Sequence, residues 1–292
     1  MIIAIGEILA DMIGCKEAGV MTFKAFCGGA PFNVAVAAHR AGAAVCFVGR
    51  VGDDPMGRFV TEEAKKADFA ELQIQQDPQR NTTLAFVTLT EGERDFAFNR
   101  HDTADYHIDL SQVAIHNPEV SIVHLGSLML SEEAGQKLAA EVVQKARAFK
   151  KTLSFDINFR TDIYGDFEQA KAAYAPYIQA ADILKFSDDE LALLTGKDSL
   201  EAGIQALNRP DALILVTLGS QGSAYFYGEI SGRIPSVPVK PVDTTGAGDA
   251  FFGTFLACME GKTWTKANIE QALNVANQAG AQATQFLGAV QL

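Results

Sequence analysis

Short, almost wholly apolar runs alternate with longer amphipathic ones along most of the chain. No other feature constrains the fold as much. The apolar runs are 2–5, 45–48, 120–125, 152–157, 183–186 and 212–218, and the amphipathic runs are 31–41, 56–66, 132–149, 167–175, 188–194, 247–260 and 268–285. A strand covered on both faces reads as a continuous apolar stretch, whereas a surface helix is apolar on one side only. Strands and helices in alternation predict an α/β fold with a doubly wound, mainly parallel sheet flanked by helices.

Two segments break the rhythm. Residues 8–27 lack helical periodicity, and residues 82–100 alternate in the manner of two strands around a tight turn. The pattern predicts a small β-strand lid, formed by about 8–27 and 82–105 and inserted in a single α/β domain spanning 1–292. A chain of this length buries a sizeable core without a second domain. The alternative is a decorative insertion.

Charge and cysteines exclude several functions. Against 36 acidic side chains stand 24 basic ones, a net charge of −12. Nucleic-acid binding begins with neutralised phosphates, so this balance argues against it. Cys15, Cys27, Cys46 and Cys258 form no C-x-x-C pair and no zinc pattern. The N-terminus has no basic region of the signal-peptide kind, and the most apolar stretch, 30–49, is interrupted by Asn33, His39 and Arg40. A cytoplasmic protein with no membrane partner is expected. The five histidines, His39, His101, His107, His116 and His124, show no ligand spacing.

The sharpest local motif is Asp243-Thr-Thr-Gly-Ala-Gly-Asp249, placed between an extended stretch and an amphipathic helix. The N–H groups of Gly246, Ala247, Gly248 and Asp249 would stand unpaired at the helix start, with the positive end of its dipole behind them. That arrangement suits a phosphate. No Gly-Lys-Ser/Thr follows, so it is not a Walker A loop, and the third glycine of a dinucleotide fingerprint is missing. Asp249 reads equally as a first-turn carboxylate complementing the dipole or as a base beside a transferred phosphoryl group.

Asp243–Asp249 resembles the C-terminal signature of the ribokinase-like (PfkB-type) carbohydrate kinases. The N-terminal signature is similar too: Gly28-Gly-Ala-Pro-Phe-Asn33, then Val48-Gly-Arg-Val-Gly-Asp53-Asp-Pro-Met-Gly57. The resemblance runs from Ile5 to Gly288. Gly29-Ala30-Pro31, Gly92-Glu-Arg-Asp-Phe-Ala-Phe-Asn-Arg100 and Ala104-Asp105 look most like the bacterial fructokinases. The resemblance implies a ribokinase-like fold, ATP and Mg2+ as cofactors, and phosphorylation of D-fructose to fructose 6-phosphate. A homodimer through the lid is implied as well. Another sugar or sugar acid, such as ribose or 2-keto-3-deoxygluconate, is the near alternative. A catalytically silent sugar-binding regulator is the distant one.

Roles follow the resemblance by position. Asp249 matches the base, and Gly246, Ala247 and Gly248 match the anion hole, with Arg160 on the phosphate or sugar side. Asp11, Gly28, Gly29 and Asn33 match the sugar floor, and Arg100 closes the lid hairpin toward the sugar. Lys185, Ser187, Thr217, Gly219, Gly222, Gly248 and Asn277 fall on the ATP side. Asp243 and Thr245, with carbonyls near Ala283 and Gly288, fall where many relatives bind potassium. Glu190 matches the indirect magnesium residue. There the chain departs from the family, because Ser187-Asp188-Asp189-Glu190 replaces the usual Asn-x-x-Glu, which bears on metal affinity.

Each of these residues also has a plainer reading. Asp11 could be a solvated loop acid, Asn33 a helix cap, Arg160 a surface ion pair, Arg100 a solvated arginine and Glu190 a partner of the helix dipole.

Overall fold

The structure, a computed structural model, describes residues 1–17, 19–90, 93–159, 163–164, 166–286, 288–290 and 292. Its main sheet holds strands β1 (Ile2–Ile5), β4 (Val45–Gly52), β5 (Glu71–Asp77), β8 (Ile122–Leu125), β9 (Thr152–Asp156), β10 (Ile183–Ser187), β11 (Leu213–Thr217), β12 (Ser223–Tyr227) and β13 (Ile230–Ile234). Their order is β13-β12-β11-β10-β9-β8-β1-β4-β5. From β11 to β5 every pairing is parallel, and β12 and β13 continue antiparallel at one edge.

The parallel strands are buried because helices cover both faces. One apolar cluster packs Ile3, Val123, Leu153 and Phe155 beneath α3 (Glu133–Ala148), α4 (Phe167–Ala180) and α5 (Asp188–Thr195). The other packs Ile2, Phe47 and Leu215 against α1 (Ala30–Arg40), α7 (Ala247–Met259) and α8 (Lys266–Ala283). From β1 the chain builds outward through β4 and β5, then returns to place β8 on the other side of β1. The strand order thus reverses between β1 and β8, and ligands of α/β sheets bind outside the carboxyl ends at such a point.

A second sheet has four strands in the order β3-β2-β6-β7. It consists of β2 (Leu9–Glu17), β3 (Val20–Gly28), β6 (Leu84–Thr90) and β7 (Glu93–Asn99). The 82–100 hairpin is therefore present as β6 and β7, and β2 joins it in parallel through Ala10↔Leu84 to Ile13↔Val87. Residues 8–27 form an antiparallel pair of their own.

Several elements differ from the periodicity reading. Strands β5, β12 and β13 and helices α2 (Pro55–Lys65) and α6 (Leu200–Leu207) complete the fold; of these, α2 alone was expected, one residue later. Polar residues interrupt Glu-Leu-Gln-Ile-Gln-Gln-Asp of β5, an edge strand with no neighbour beyond it. α4 runs past its expected end at 175, carrying Pro176 inside the helix. Among the described residues, no helix is long and apolar enough to cross a membrane.

Candidate active site

α7 begins where Gly246 takes a left-handed conformation, φ 77°. A Cβ at this position would collide with the carbonyl of Ala289. Glycine thus lets the C-terminal segment close over the turn. The turn itself is clamped by Asp243, which is 3% exposed. Its Oδ1 accepts from Thr245 N at 2.8 Å and its Oδ2 from Gly288 N at 3.0 Å. Val242 N and Asp243 N both donate to the Thr284 carbonyl, just beyond Ala283, the last residue of α8. Asp243, Thr245, Ala283 and Gly288 therefore meet at one corner.

Ala247, Gly248 and Asp249 are the first three residues of α7, and no side chain caps them. The first N–H groups of a helix have no intrahelical carbonyl one turn back; that of Ala247 donates instead to the Thr244 carbonyl at 3.3 Å, so it does not stand unpaired as expected. One turn on, Gly253 lies so close to α1 that a Cβ would strike the Val34 carbonyl. This approach brings Asn33 of α1 to Asp249: Asn33 Nδ2 donates to Asp249 Oδ2 at 2.9 Å. Asn33 Oδ1 is buried and has no partner. Asn33 is a residue of α1 itself, and Gly29 is the N-cap, with no side-chain cap bond, so the capping reading of Asn33 falls.

Asp11 stands on β2, its carboxylate directly over Gly28 of β3, where any Cβ would overlap it. Gly29 has φ 118° and packs on the Glu7 carbonyl. Asp11, Gly28, Gly29 and Asn33 thus form one floor, with Asp249 at its inner end. The remaining N-terminal signature glycines shape the backbone instead: a Cβ at Gly57 would strike the Gly52 carbonyl.

Behind the α7 turn lies a buried ion pair. Lys185 Nζ sits 2.8 and 2.9 Å from the two carboxylate oxygens of Asp156, both side chains being about 5% exposed. A Cβ built on Gly248 would come 3.2 Å from Lys185 Nζ, so the ammonium backs directly onto the turn. Burial, and then the neighbouring carboxylates Glu190 and Asp249, push the Asp156 carboxyl up against the pull of Lys185. Burial works against the Lys185 charge, but Asp156, Glu190 and Asp249 outweigh it and hold the lysine above its usual range.

Ser187 and Glu190 form a capping box at α5: Glu190 N donates to Ser187 Oγ at 3.1 Å and Ser187 N to Glu190 Oε2 at 2.7 Å. Glu190 Oε1 also accepts from Phe159 N at 2.7 Å. The replacement of asparagine by Ser187 therefore leaves Glu190 firmly oriented. Among the described residues, no three His, Cys, Asp or Glu side chains are grouped to hold a metal ion by themselves.

A cavity of about 580 Å³ opens on the other side of the turn, within the size range of small-molecule sites. Thr217, Gly219, Gly222, Asn277 and Gly248 all line it. Asn277 Nδ2 donates to the Ile234 and Pro235 carbonyls, at 3.0 and 3.3 Å, fixing one wall. Gly222, at φ 99°, lets that wall approach, since a Cβ would meet the Ile234 carbonyl. Lys185 and Ser187 stand outside this cavity, at the end of β10.

Arg100 is not solvated. It is 7% exposed, with Nε and Nη2 on Asp105 Oδ2 at 3.0 and 2.8 Å, Nη1 on Ser131 Oγ at 2.5 Å, and its guanidinium 4.8 Å above the Tyr106 ring. Arg160 lies outside the described residues. His124 is a satisfied core histidine, with Nδ1 3.1 Å from Ser154 Oγ, kept neutral by burial and by Lys185, its pKa down at about 3. Lys185 was expected on the ATP side, but its pairing with Asp156 was not, and neither was a second participant. The Lys185–Asp156 pairing was signalled by a lysine inside the apolar run of β10 beside an aspartate ending β9. The other is Glu7, treated below.

Comparison with known proteins gives a consistent result. A family model described as pfkB family carbohydrate kinase matches residues 1–291. Fructokinase-1 of Oryza sativa subsp. japonica is 35% identical over 303 residues, covering 99% of this chain and 93% of the relative. A fructokinase from Xylella fastidiosa with bound ATP superposes with a TM-score of 0.89 at 30% identity, covering 99% of this chain and 93% of that one. A fructokinase from Vibrio cholerae O395 with fructose, ADP and calcium gives 0.88 at 32%, covering 99% and 94%.

Proposed function

The chain belongs to the pfkB family of carbohydrate kinases, and we propose that it transfers the γ-phosphate of ATP to D-fructose, giving fructose 6-phosphate and ADP. The observation that carries this reading is the Asn33–Asp249 contact at 2.9 Å, which joins a polar floor to the uncapped start of α7. A hydroxyl placed there would face a carboxylate on one side and a phosphate hole on the other. The names of the rice, Xylella and Vibrio relatives supply the sugar and the nucleotide.

In this mechanism the sugar lies on Asp11, Gly28, Gly29 and Asn33. The nucleotide lies along the cavity of Thr217, Gly219, Gly222 and Asn277, its γ-phosphate over Gly246–Gly248. Asp249 accepts the hydroxyl proton. The sugar oxygen forms its bond to phosphorus while the bond to the ADP oxygen breaks, in line. Lys185 supplies positive charge from behind Gly248. Such fixed charge and oriented N–H groups stabilise the transferring group without reorganisation.

Among the described residues the carboxylates Asp156, Glu190 and Asp249 surround the Lys185 ammonium, a setting that fits a cation. Mg2+ binds through one or two carboxylates together with waters and substrate phosphates. Glu190 would hold it through water, and when bound it neutralises phosphate charge. A potassium ion at the Asp243 corner belongs to the same proposal.

Purified protein assayed with ATP over a panel of sugars is expected to give its highest kcat/KM with D-fructose. Preference for ribose or 2-keto-3-deoxygluconate moves the assignment within the family, and no turnover with any sugar favours a silent regulator. We also assign the four-stranded sheet as a lid over the site and as a dimer surface. Val20, Met21 and Phe23 on its edge strand β3 are exposed, and such edges invite pairing. A dimer mass in solution is expected; a monomer mass overturns this part.

A further inference from the structure

Glu7 follows β1 at the point where the strand order reverses, and it is 2% exposed. The end of β8 closes over it. Gly126 N donates to the Ile5 carbonyl at 2.8 Å, and a Cβ on Gly126 would stand 2.9 Å from Glu7 Oε2. Glu7 grips the sugar floor twice. Its carbonyl packs against Gly29, and its Oε1 accepts from Ala30 N, the first residue of α1, at 3.2 Å. The second carboxyl oxygen, Oε2, is buried without a partner.

The turn that Glu7 holds has direct consequences for the site. Gly28 at its start supports Asp11, and Asn33 begins one helical turn later, its N–H donating to the Gly29 carbonyl at 2.9 Å. The charges of Arg100 and Asp105 act on Glu7. Asp105 also accepts from Thr83 Oγ1 at 2.6 Å and Thr103 Oγ1 at 2.8 Å, at the root of the second sheet.

We infer that Glu7 is a positioning residue for sugar binding: bonded to the 28–30 turn and packed against Gly126, it sets where Asp11 and Asn33 meet the sugar. This rests on the carbohydrate-kinase reading.

The protonation state follows from the surroundings. Burial pushes the Glu7 carboxyl up, its own and the Ala30 N–H groups pull it down, Asp105 raises it and Arg100 lowers it, leaving it at about 8. α1 brings no acidic side chain in its first turn, and Gly126 brings no charge from β8. Glu7 thus works as a neutral carboxyl at pH 7. Above pH 8 it becomes a buried anion: the bond from Ala30 N strengthens, but Oε2 has no donor and Asp105 repels the charge, so the carboxylate is driven from the position it holds when neutral.

The experiment measures kcat and KM for the best sugar of the wild type from pH 6 to 9.5, in the full chain. The wild-type KM is expected to rise above pH 8 while kcat changes less. Glu7→Gln keeps the neutral acceptor for Ala30 N, so it should restore the pH 7 KM to within about threefold and abolish the alkaline rise. Glu7→Ala should raise KM about tenfold or more at pH 7 with a smaller effect on kcat. A Glu7→Gln profile that still rises above pH 8, or a folded Glu7→Ala with unchanged KM, overturns the inference. If Glu7→Ala does not fold, the Glu7→Gln profile decides alone. Failure of the kinase reading is separately visible, because the wild type then turns over no sugar.

Discussion

Asp249→Asn is expected to lower kcat by about 10²–10⁴-fold, the range over which positioned general bases act, and to leave ATP affinity nearly unchanged. Asparagine has almost the same shape and still offers an oxygen to Asn33 Nδ2, which Asp249 now engages at 2.9 Å. The start of α7 and the Gly246 turn are preserved, so the phosphate hole survives. What is lost is the capacity to take a proton. A first-turn carboxylate that served only the helix dipole would contribute about 0.3–1 kcal/mol to stability and nothing to turnover. The two roles therefore separate cleanly: a large fall in kcat with ATP titration intact supports the base, whereas a small drop in Tm with wild-type kcat overturns it.

How far this site was legible depends on which residues carry their signal locally. Gly246–Asp249 and Gly28–Asn33 announce themselves because the proposed phosphate hole and a close backbone approach both demand small residues in a row. The Thr217–Gly222 turn is readable for the same reason, since a glycine at φ 99° is required where β12 departs from Ile234. The main sheet was readable where strands are covered on both faces, as in β1, β8 and β10. It was not readable at β5 and β13, where edge position allows polar residues into the strand, nor at β12, a short aromatic strand of the antiparallel extension.

Electrostatic partners are hidden for a different reason. Arg100 reads as a sugar contact or a solvated arginine because it ends the hairpin segment. Its partners Asp105 and Ser131 come from the turn after β7 and from beyond β8, and they remove it from solvent. Glu7 sits in an unremarkable Gly-Glu-Ile, and its significance comes from Ala30 and Gly126, both distant in the chain. Long-range burial decides these roles, and no local pattern encodes it.

Lys185→Met tests the buried pair and carries the largest expected effect on stability. Removing the ammonium strands Asp156 at about 5% exposure, with Glu190 and Asp249 acting on the same region. Breaking a buried pair from one side costs about 3–5 kcal/mol. For a chain of this size that is a fall in Tm of roughly 5–15 °C. Turnover should drop as well, by about 10²-fold or more, because the charge behind Gly248 is lost from the transferring phosphoryl group. These two losses have different origins, and the double variant Lys185→Met with Asp156→Asn distinguishes them. Neutralising Asp156 removes the stranded charge, so the thermal melt should recover most of the lost stability, a coupling a double-mutant cycle reads directly. The rate should stay low, since asparagine restores no positive charge at the turn. If kcat returns together with Tm, Lys185 serves only to neutralise Asp156, and its place in the transfer step is refuted.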